Sequence, residues 1–365
     1  METTRRTPLY EAHRKLNAKL VPFAGFSMPV QYESALAEHH ATRTAAGLFD
    51  VSHMGEVFFE GPGALGALQR LVTNDLAACA DGQAQYSCML RPTGGMIDDL
   101  VIYRFSPTKL LVCVNASNRA KDFEWMKTEG TTSGCAVTDR GDEYAQIAVQ
   151  GPKAAGILQR LTKVALSGIR TYWFGEGEVA GVSCIVARTG YTGEDGFELF
   201  CAPSGAEKVW NALLDSGRGE GLTPTGLGAR DSLRLESAYR LYGNDMDETT
   251  TPLEAGLGWI VKLEKGDFIG RAVLVEQKAR GLPRRLVGLK LTEKGIPRHE
   301  YAVLQDGKKV GHVTSGTLSP TTHEAIALAY VPPQLAKIDA PLAVEIRGKP
   351  VQAVVVKTPF YSRKS

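Results

Sequence analysis

The sequence has few cysteines and no long apolar run. Its 365 residues include six cysteines, none of which form a Cys-x-x-Cys pair, and Cys113 and Cys184 stand inside apolar, strand-like runs. We therefore interpret the cysteines as reduced structural residues rather than metal ligands or disulfides. No apolar run approaches the ~18 residues that cross a bilayer, and the N-terminal segment lacks a signal-peptide core. These absences predict a cytoplasmic protein that does not enter a membrane.

An excess of charge of either sign is also missing. The chain has 42 Lys and Arg against 40 Asp and Glu, a formal net charge of +2. This balance excludes the global basic field of a protein that works mainly by neutralising nucleic-acid phosphates, so we expect no nucleic-acid partner. A hydrophobic content of 43% and a charged content of 22% are ordinary for a globular protein. At roughly 100–200 residues per domain, the length predicts two or three domains.

Several common binding motifs are incomplete. The pairs Gly175-x-Gly177 and Gly226-x-Gly228 lack the third glycine and the strand context of a dinucleotide site, and no phosphate loop of the Walker type is present. The acidic segment Asn244–Glu248 lacks the glycine and glutamate of an EF-hand loop, which favours a solvated or capping loop. We expect no metal site, because these histidines have no partner at metal-ligand spacing: His39, His40, His53, His312 and His323.

Short β-type runs alternate with turns and a few amphipathic helices, which indicates an α+β fold rather than a βαβ series. We predict strands at Gly55–Glu60, Met96–Phe105, Lys109–Asn115, Tyr144–Gln150, Val182–Arg188 and Gly196–Cys201. We predict helices at Tyr32–Gly47, Pro62–Leu71, Asn118–Thr128, Pro152–Leu161, Ala206–Ser216 and Leu227–Tyr242. The last helix is expected to end at Gly243, a residue suited to a left-handed cap.

The composition changes near residue 280. Arg271–Arg280 is typical of a charged helix, and Gly281–Arg285 of a linker. Short strands separated by turns follow, at Leu286–Leu291, Glu300–Gln305, Lys309–Ser315, Ala325–Val331, Leu342–Ile346 and Val351–Val356. We therefore predict one region over residues 1–280 and a small β-barrel or jelly-roll module over residues 284–365.

Two adjacent acids interrupt an otherwise apolar strand. Period-2 alternation places Asp99 on the face of Ile97 and Val101, and Asp98 on the opposite, equally apolar face. A carboxylate there is costly without a hydrogen-bond partner, and desolvation raises its pKa toward the range useful for proton transfer. The alternative is that one Asp caps a turn or pairs with an Arg while the strand is simply core.

A third acid, Glu198, stands just inside a mostly hydrophobic strand, after a Gly/Thr/Asp-rich connection in which Glu194 and Asp195 are ordinary turn acids. A carboxylate on a rigid strand accepts two parallel hydrogen bonds from an amino-pyrimidine edge such as that of a pterin. The alternative is a cross-strand salt bridge to Lys or Arg.

Arg230 lies in the first turn of a helix that opens after a glycine turn. A cation is unfavourable at that end of the helix dipole, so a carboxylate or an electron-rich ligand is expected to hold it there. Arg234 follows Asp231 by three residues, and we interpret these two as an intrahelical surface pair.

Taken together, these segments resemble the aminomethyltransferases of the glycine cleavage system, the T-proteins. The resemblance covers almost the whole chain, with matching segments at Thr7–Tyr10, Ala24–Pro29, Phe49–Gly55, Gly94–Leu100, Val149–Pro152, Thr189–Glu194, Gly226–Asp231, Leu241–Glu248 and Thr314–Gly316. It implies a three-lobed chain: two interleaved N-terminal α+β lobes form a folate-binding catalytic region, and a C-terminal β-barrel forms the third lobe.

The resemblance also implies the reaction. The aminomethyl group carried on the dihydrolipoyl sulfur of the H-protein would be transferred to tetrahydrofolate as 5,10-methylenetetrahydrofolate, with release of ammonia. The lipoyl group would come from the H-protein, and no metal would be needed. By motif position, the catalytic acid is Asp99, the folate-binding acid and base are Glu198 and Arg230, and Tyr191 and Met54 line the pterin region.

Two related classes remain as alternatives. A folate-dependent demethylation module of the dimethylglycine or sarcosine dehydrogenase type normally follows a flavin domain, and this chain has no room for one. A non-catalytic folate-binding family that supports iron–sulfur proteins carries a Lys-Gly-Cys-Tyr-x-Gly-Gln-Glu signature. Here the helix-opening segment Gly226–Asp231 contains no such cysteine.

Overall fold

A computed structural model describes residues 4–131 and 134–363. Its α-helices are α1 Tyr10–Lys15, α2 Ala35–Thr44, α3 Ala64–Leu71, α4 Arg119–Gly130, α5 Ala154–Gln159, α6 Pro203–Gly217, α7 Leu227–Glu236 and α8 Arg271–Arg280. Its first thirteen strands are β1 Lys19–Phe23, β2 Phe26–Gln31, β3 Ala46–Asp50, β4 Gly55–Glu60, β5 Gln83–Leu90, β6 Met96–Ser106, β7 Lys109–Val114, β8 Ala136–Asp139, β9 Ala145–Gln150, β10 Phe174–Val179, β11 Val182–Ala187, β12 Gly196–Cys201 and β13 Leu222–Pro224. The later strands are β14 Arg285–Leu291, β15 Ala302–Gln305, β16 Lys308–Leu318, β17 Ala325–Val331, β18 Pro341–Ile346 and β19 Lys349–Val356.

The chain divides into two compact units that are interleaved in sequence. The first unit contains the residues up to Leu71 together with Asp75–Ser87 and Leu100–Asp231. The second contains Val72–Asn74, Cys88–Asp99 and the residues from Ser232 onward. The division therefore falls inside β5, β6 and α7. The predicted boundary between residues 280 and 284 remains a prediction.

The first unit is built on β-sheets. A six-stranded sheet has the order β10-β11-β12-β9-β3-β13, and a five-stranded sheet has the order β5-β6-β7-β4-β8. Phe58 and Leu111 of the five-stranded sheet share one buried apolar cluster with Ile185 and Phe200 of the six-stranded sheet. A second cluster joins the six-stranded sheet to α5 and α6, with Trp210 fully buried. The six-stranded sheet therefore has two buried faces, which explains its nearly continuous apolar strands.

The second unit contains a closed six-stranded barrel of order β14-β17-β16-β15-β18-β19, as the sequence predicted. Every residue of β17 is buried because the strand is covered on both sides. Ala327 and Ala329 face the barrel core, while Ile326 and Leu328 pack against Leu235 of α7. The α+β lobes and the C-terminal barrel confirm the predicted fold class.

Helix α7 ends earlier than the sequence predicted. It stops at Glu236, six residues before the expected end, because Ala238 adopts a left-handed conformation with φ +53°. The amide of Tyr239 donates to the Arg234 carbonyl at 2.9 Å, and the amide of Ala238 donates to the Leu235 carbonyl at 2.9 Å. This pair of bonds is a Schellman motif with alanine at the position that usually holds glycine. The expected cap at Gly243 was therefore wrong, although Gly243 does have a positive φ of +86°.

Among the described helices, none combines the length and the apolar character that a membrane span requires.

Candidate functional site

The connection between β11 and β12 is held in place by one buried glutamine. The amide nitrogen of the Gln150 side chain donates to the Thr189 carbonyl at 3.1 Å, and its oxygen accepts from the Thr192 hydroxyl at 3.0 Å. A Cβ at Gly190 would lie 1.9 Å from that same oxygen, so glycine is needed for this close approach. The segment that carries Thr189 and Tyr191 is therefore fixed by packing as well as by its own turn.

The acids of this connection are used locally, as expected for turn acids. Glu194 forms a buried ion pair with Arg43 at 2.8 Å. Asp195 accepts two hydrogen bonds from Arg188, at 2.9 and 2.6 Å. The next acid along the chain, Glu198, lies inside β12.

Glu198 is a buried carboxyl group with neutral hydrogen-bond donors. Its Oε2 accepts from the Thr189 hydroxyl at 2.5 Å, and its Oε1 accepts from the Gln146 amide at 3.2 Å. Its cross-strand neighbours are Ala187 and Ala148, so the alternative of a cross-strand salt bridge is wrong. Burial raises the pKa of Glu198, and the two donors and the charge of Arg230 offset only part of that effect.

Arg230 is half-buried in the first turn of α7, as the sequence predicted. Its guanidinium carbon lies 4.8 Å from the centroid of the Tyr191 ring, a cation–π contact within the protein. The glycine turn before the helix is tightly packed, because a Cβ at Gly226 would lie 2.5 Å from the Val30 carbonyl carbon. The backbone thus fixes where the Arg230 side chain begins.

Met54 and His53 stand in the turn between β3 and β4. Met54 is half-buried and packs against the apolar cluster shared by the two sheets. His53 is 2% exposed, and its Nδ1 has no hydrogen-bond partner among the described residues. Burial and the charge of Arg230 lower the pKa of His53 to about 4, so its imidazole is neutral at pH 7.

The same turn is anchored by a buried carboxylate, Asp50. Its Oδ2 accepts from the Thr7 hydroxyl at 2.6 Å and lies 2.8 Å from His13 Nε2, while its Oδ1 accepts from the Ser52 amide at 2.9 Å. These bonds hold the pKa of Asp50 below its usual value in spite of burial. The turn that presents His53 is therefore preorganised.

Asp98 and Asp99 belong to the second unit and differ in exposure. Asp98 is fully buried on the face it shares with Met96 and Leu100, whereas Asp99 on the other face is partly exposed. Period-2 alternation thus separates the two acids. Asp99 is the more exposed member of the pair.

A second set of buried charges lies elsewhere in the same unit. Asp245 is 0% exposed and accepts from Arg234 Nη1 at 2.8 Å and from the Thr314 hydroxyl at 2.6 Å. The other guanidinium nitrogen of Arg234 donates to the Ser315 hydroxyl at 2.9 Å. Arg234 is 2% exposed, so the expectation that it forms a surface pair was wrong. The loop around Asp245 is exposed at Asp247 and Glu248, as expected for a solvated or capping loop, but Asp245 itself is buried. Both charges are buried because each neutralises the other.

The structure thus brings together three of the predicted residues: Glu198, Arg230 and Tyr191. Sequence reasoning missed Thr189 and Gln146, the two neutral residues that donate to Glu198. A lone Thr or Gln gives no signal in the sequence until its neighbour in space is known. Within the described ranges, no three His, Cys, Asp or Glu side chains are grouped as a metal site would require. What the first unit offers is a buried acid of raised pKa beside a half-buried cation on an aromatic ring.

Two family models match the chain. The model described as the GCVT N-terminal domain matches residues 9–265, and the glycine cleavage T-protein C-terminal barrel domain matches residues 284–362. An aminomethyltransferase of Desulfitobacterium hafniense is 50% identical over 364 residues, covering 100% of both chains. One from Lysinibacillus sphaericus is 48% identical over 360 residues, covering 98% of both.

A solved structure gives the same assignment. The crystal structure of the glycine cleavage system aminomethyltransferase T from Bartonella henselae superposes with a TM-score of 0.92, at 34% identity and with 98% of each chain covered. Sequence and fold agree over the whole length. The chain therefore belongs to the glycine cleavage T-protein family of aminomethyltransferases.

Proposed function

We propose that this protein transfers the methylene group from S-aminomethyldihydrolipoyl H-protein to tetrahydrofolate, releasing ammonia and forming 5,10-methylenetetrahydrofolate. The observation that best supports a folate acceptor is the surroundings of Glu198. This buried carboxyl group lies opposite alanines in the sheet and is held by Thr189 and Gln146. A carboxylate without a fixed cation partner is suited to a ligand that brings its own N–H donors.

Glu198 would bind the pterin ring through two parallel hydrogen bonds, from a ring N–H and the exocyclic amine. These bonds require the ionised carboxylate, and the charge of Arg230 favours that form. The ring of Tyr191 and the side chain of Met54 would line the pterin region. Both are half-buried, so each keeps some surface for contact.

Tetrahydrofolate would supply the nucleophile, its N5, so the protein needs no covalent nucleophile. The task of the side chains is to orient the folate and to manage protons and charge. Asp99 would accept a hydrogen bond from the folate near N10. Its negative charge would stabilise the positive charge that develops as ammonia leaves and the methylene bridge closes.

The predicted location in the cytoplasm fits a reaction between two soluble partners, a lipoylated carrier protein and a folate. Neither a membrane nor a nucleic acid enters this proposal.

The test is ammonia release from aminomethylated, lipoylated H-protein, with and without tetrahydrofolate. Asp99→Asn is expected to keep much of the folate affinity and lose most of the turnover, because Asn cannot supply the negative charge. Asp306→Asn is the matched control, since Asp306 is an exposed turn residue with φ +51°, a conformation that Asn also tolerates.

Near-normal steady-state turnover of Asp99→Asn would refute the role of Asp99. Folate binding without any ammonia release by the wild-type protein would instead favour a folate-binding protein that is not an enzyme.

A further inference from the structure

We infer that Tyr242 is a positioning residue for Asp99, acting through the first residues of β6. This inference rests on the proposed function, in which Asp99 acts at the folate. The segment of residues 241–251, here called the clamp loop, lies in the same unit as Gly95, Met96 and Asp99. Its contacts fix the backbone from which the Asp99 strand begins.

The clamp loop bonds both backbone groups of Met96. The Met96 amide donates to the carbonyl oxygens of Asp247 at 3.1 Å and Thr250 at 3.0 Å. The Tyr242 hydroxyl donates to the Met96 carbonyl at 2.8 Å. In a sheet, a neighbouring strand normally bonds the amide and carbonyl groups of a strand residue. At Met96 the clamp loop bonds them, with two backbone carbonyls and the Tyr242 hydroxyl. The position of Met96 therefore depends on the shape of this loop.

The residue before Met96 is locked by close packing. A Cβ at Gly95 would lie 1.7 Å from the Glu248 carbonyl oxygen, so the two backbones touch. Arg91 bonds both residues of this close contact. Its amide donates to the Gly95 carbonyl at 2.8 Å, and its Nε donates to the Glu248 carboxylate at 3.0 Å. This approach leaves the strand little freedom to shift along or away from the loop.

The clamp loop is in turn fixed to the barrel by Asp245. The Asp245 carboxylate is held by Arg234 and by Thr314 of β16, and its backbone carbonyl accepts from the Tyr330 hydroxyl of β17 at 2.8 Å. Its Oδ2 also accepts from the Leu241 amide at 2.8 Å, beside Tyr242. The rigid barrel is therefore the fixed end of a chain of contacts that terminates at Met96.

The distance from Met96 to Asp99 makes this a positioning role. Three residues of extended strand span about 10 Å, so a shift at Met96 is carried along the strand to the Asp99 carboxylate. A misplacement of about 1 Å at a reacting group can cost on the order of 100-fold in rate. Folate affinity is expected to depend mainly on Glu198 and Arg230, which belong to the first unit.

The variant Tyr242→Phe tests the inference, because it removes the hydroxyl and keeps the ring. We expect kcat for ammonia release to fall about tenfold, with the folate Kd and the thermal midpoint nearly unchanged. Tyr301→Phe is the matched control, since Tyr301 is a half-buried tyrosine that packs on the barrel core. It is expected to leave kcat within twofold of the wild-type value.

A kcat of Tyr242→Phe within twofold of wild type would overturn the inference, and so would an equal loss in the Tyr301→Phe control. A fall in folate affinity that matches the fall in kcat would also overturn it, since that result means a general loss of the site.

Hydrogen exchange provides a readout that is independent of activity. The peptide that covers residues 94–103 should exchange faster in Tyr242→Phe than in the wild type or in Tyr301→Phe. Unchanged protection of this peptide in Tyr242→Phe would overturn the inference, even if kcat falls. If the wild-type protein releases no ammonia, the proposed function fails, and the exchange result alone decides whether the loop holds the strand.

Discussion

Glu198 in the first unit and Asp245 in the second are both carboxyl groups buried on rigid structure, yet they are held in opposite ways. Asp245 faces the guanidinium of Arg234 at 2.8 Å and accepts two further hydrogen bonds. Glu198 accepts from a hydroxyl and a primary amide, and burial raises its pKa. Asp245 has a cation in direct hydrogen-bond contact, whereas Glu198 is bonded by neutral donors and feels the charge of Arg230 without such a bond.

The difference separates a structural acid from one kept for a ligand. A buried ion pair that is fully bonded locks its neighbours, and breaking it exposes the full cost of an uncompensated charge. A buried acid held by neutral donors remains able to gain a stronger partner. The two regions should therefore respond differently when each acid is neutralised.

The largest expected effect is on stability. Asp245→Asn should lower the free energy of unfolding by about 3–5 kcal/mol, because it leaves the Arg234 charge buried without its partner. Glu198→Gln should change it by less than about 1 kcal/mol, because a neutral amide replaces an acid that burial already disfavours in its charged form. Urea unfolding of both variants measures the contrast. Similar losses for the two would show that the acids are held alike.

Next in size is the effect on folate binding. Glu198→Ala and Glu198→Gln should raise the folate Kd by about 10–100-fold. This change corresponds to the loss of roughly 1.5–3 kcal/mol, the usual contribution of hydrogen bonds to a charged group. Isothermal titration calorimetry measures it, and an unchanged Kd counts against the pterin contact.

The pH dependence of that affinity follows from the raised pKa of Glu198. Since the ionised form binds, affinity should fall as pH drops through this raised pKa. Glu198→Gln should be flat over the same range.

A smaller effect is expected from His53, whose pKa is lowered to about 4. Between this value and the ordinary one near 6.5, the unfolded chain takes up a proton that the folded protein does not, so stability is lost as pH falls. The loss from pH 8 to pH 5 is about 2 kcal/mol. His53→Gln should lack this component, whereas His323→Gln at an exposed site should behave like the wild type. Identical pH profiles for all three proteins would contradict the lowered pKa.

The smallest effect concerns the hydroxyl of Thr189. Thr189→Val removes the group that donates to Glu198 at 2.5 Å and lies 3.3 Å from the Tyr103 hydroxyl, while keeping the size of the side chain. The loss of about 1 kcal/mol should weaken folate binding roughly fivefold and move the fall in affinity to higher pH. Calorimetry over a series of pH values would show both changes, and a variant that matched the wild type throughout the series would remove Thr189 from the site.

Much of the fold was predictable because its signals are local. Strands such as Gly196–Cys201 and Ala325–Val331 have the bounds read from their apolar runs, and the barrel follows from six such runs separated by turns. The end of α7 was not predictable, because the left-handed residue there is Ala238 and alanine carries no turn signal. The glycine that was expected to end the helix lies five residues further on.

The site was predictable as a set of residue types but not as a set of partners. Glu198 and Arg230 stood out because each is unusual in its local context. Thr189 and Gln146 did not, since their role depends on a sheet register that brings β9 beside β12. Arg234 was expected at the surface for the same reason: it is 2% exposed and donates to Asp245, which follows the helix. Local spacing cannot reveal such a pairing.

Because the two units are interleaved, one part of the second unit is synthesised well before the rest of it. Residues Cys88–Asp99 belong with residues that begin at Ser232, and Tyr242 follows Met96 by 146 positions. At a synthesis rate of about 5–20 residues per second, Met96 is made roughly 7–30 seconds before the Tyr242 that bonds its carbonyl. The segment ends with two acids, Asp98 and Asp99, and charges beside an apolar run are the kind of residue that disfavours premature strand pairing in a nascent chain.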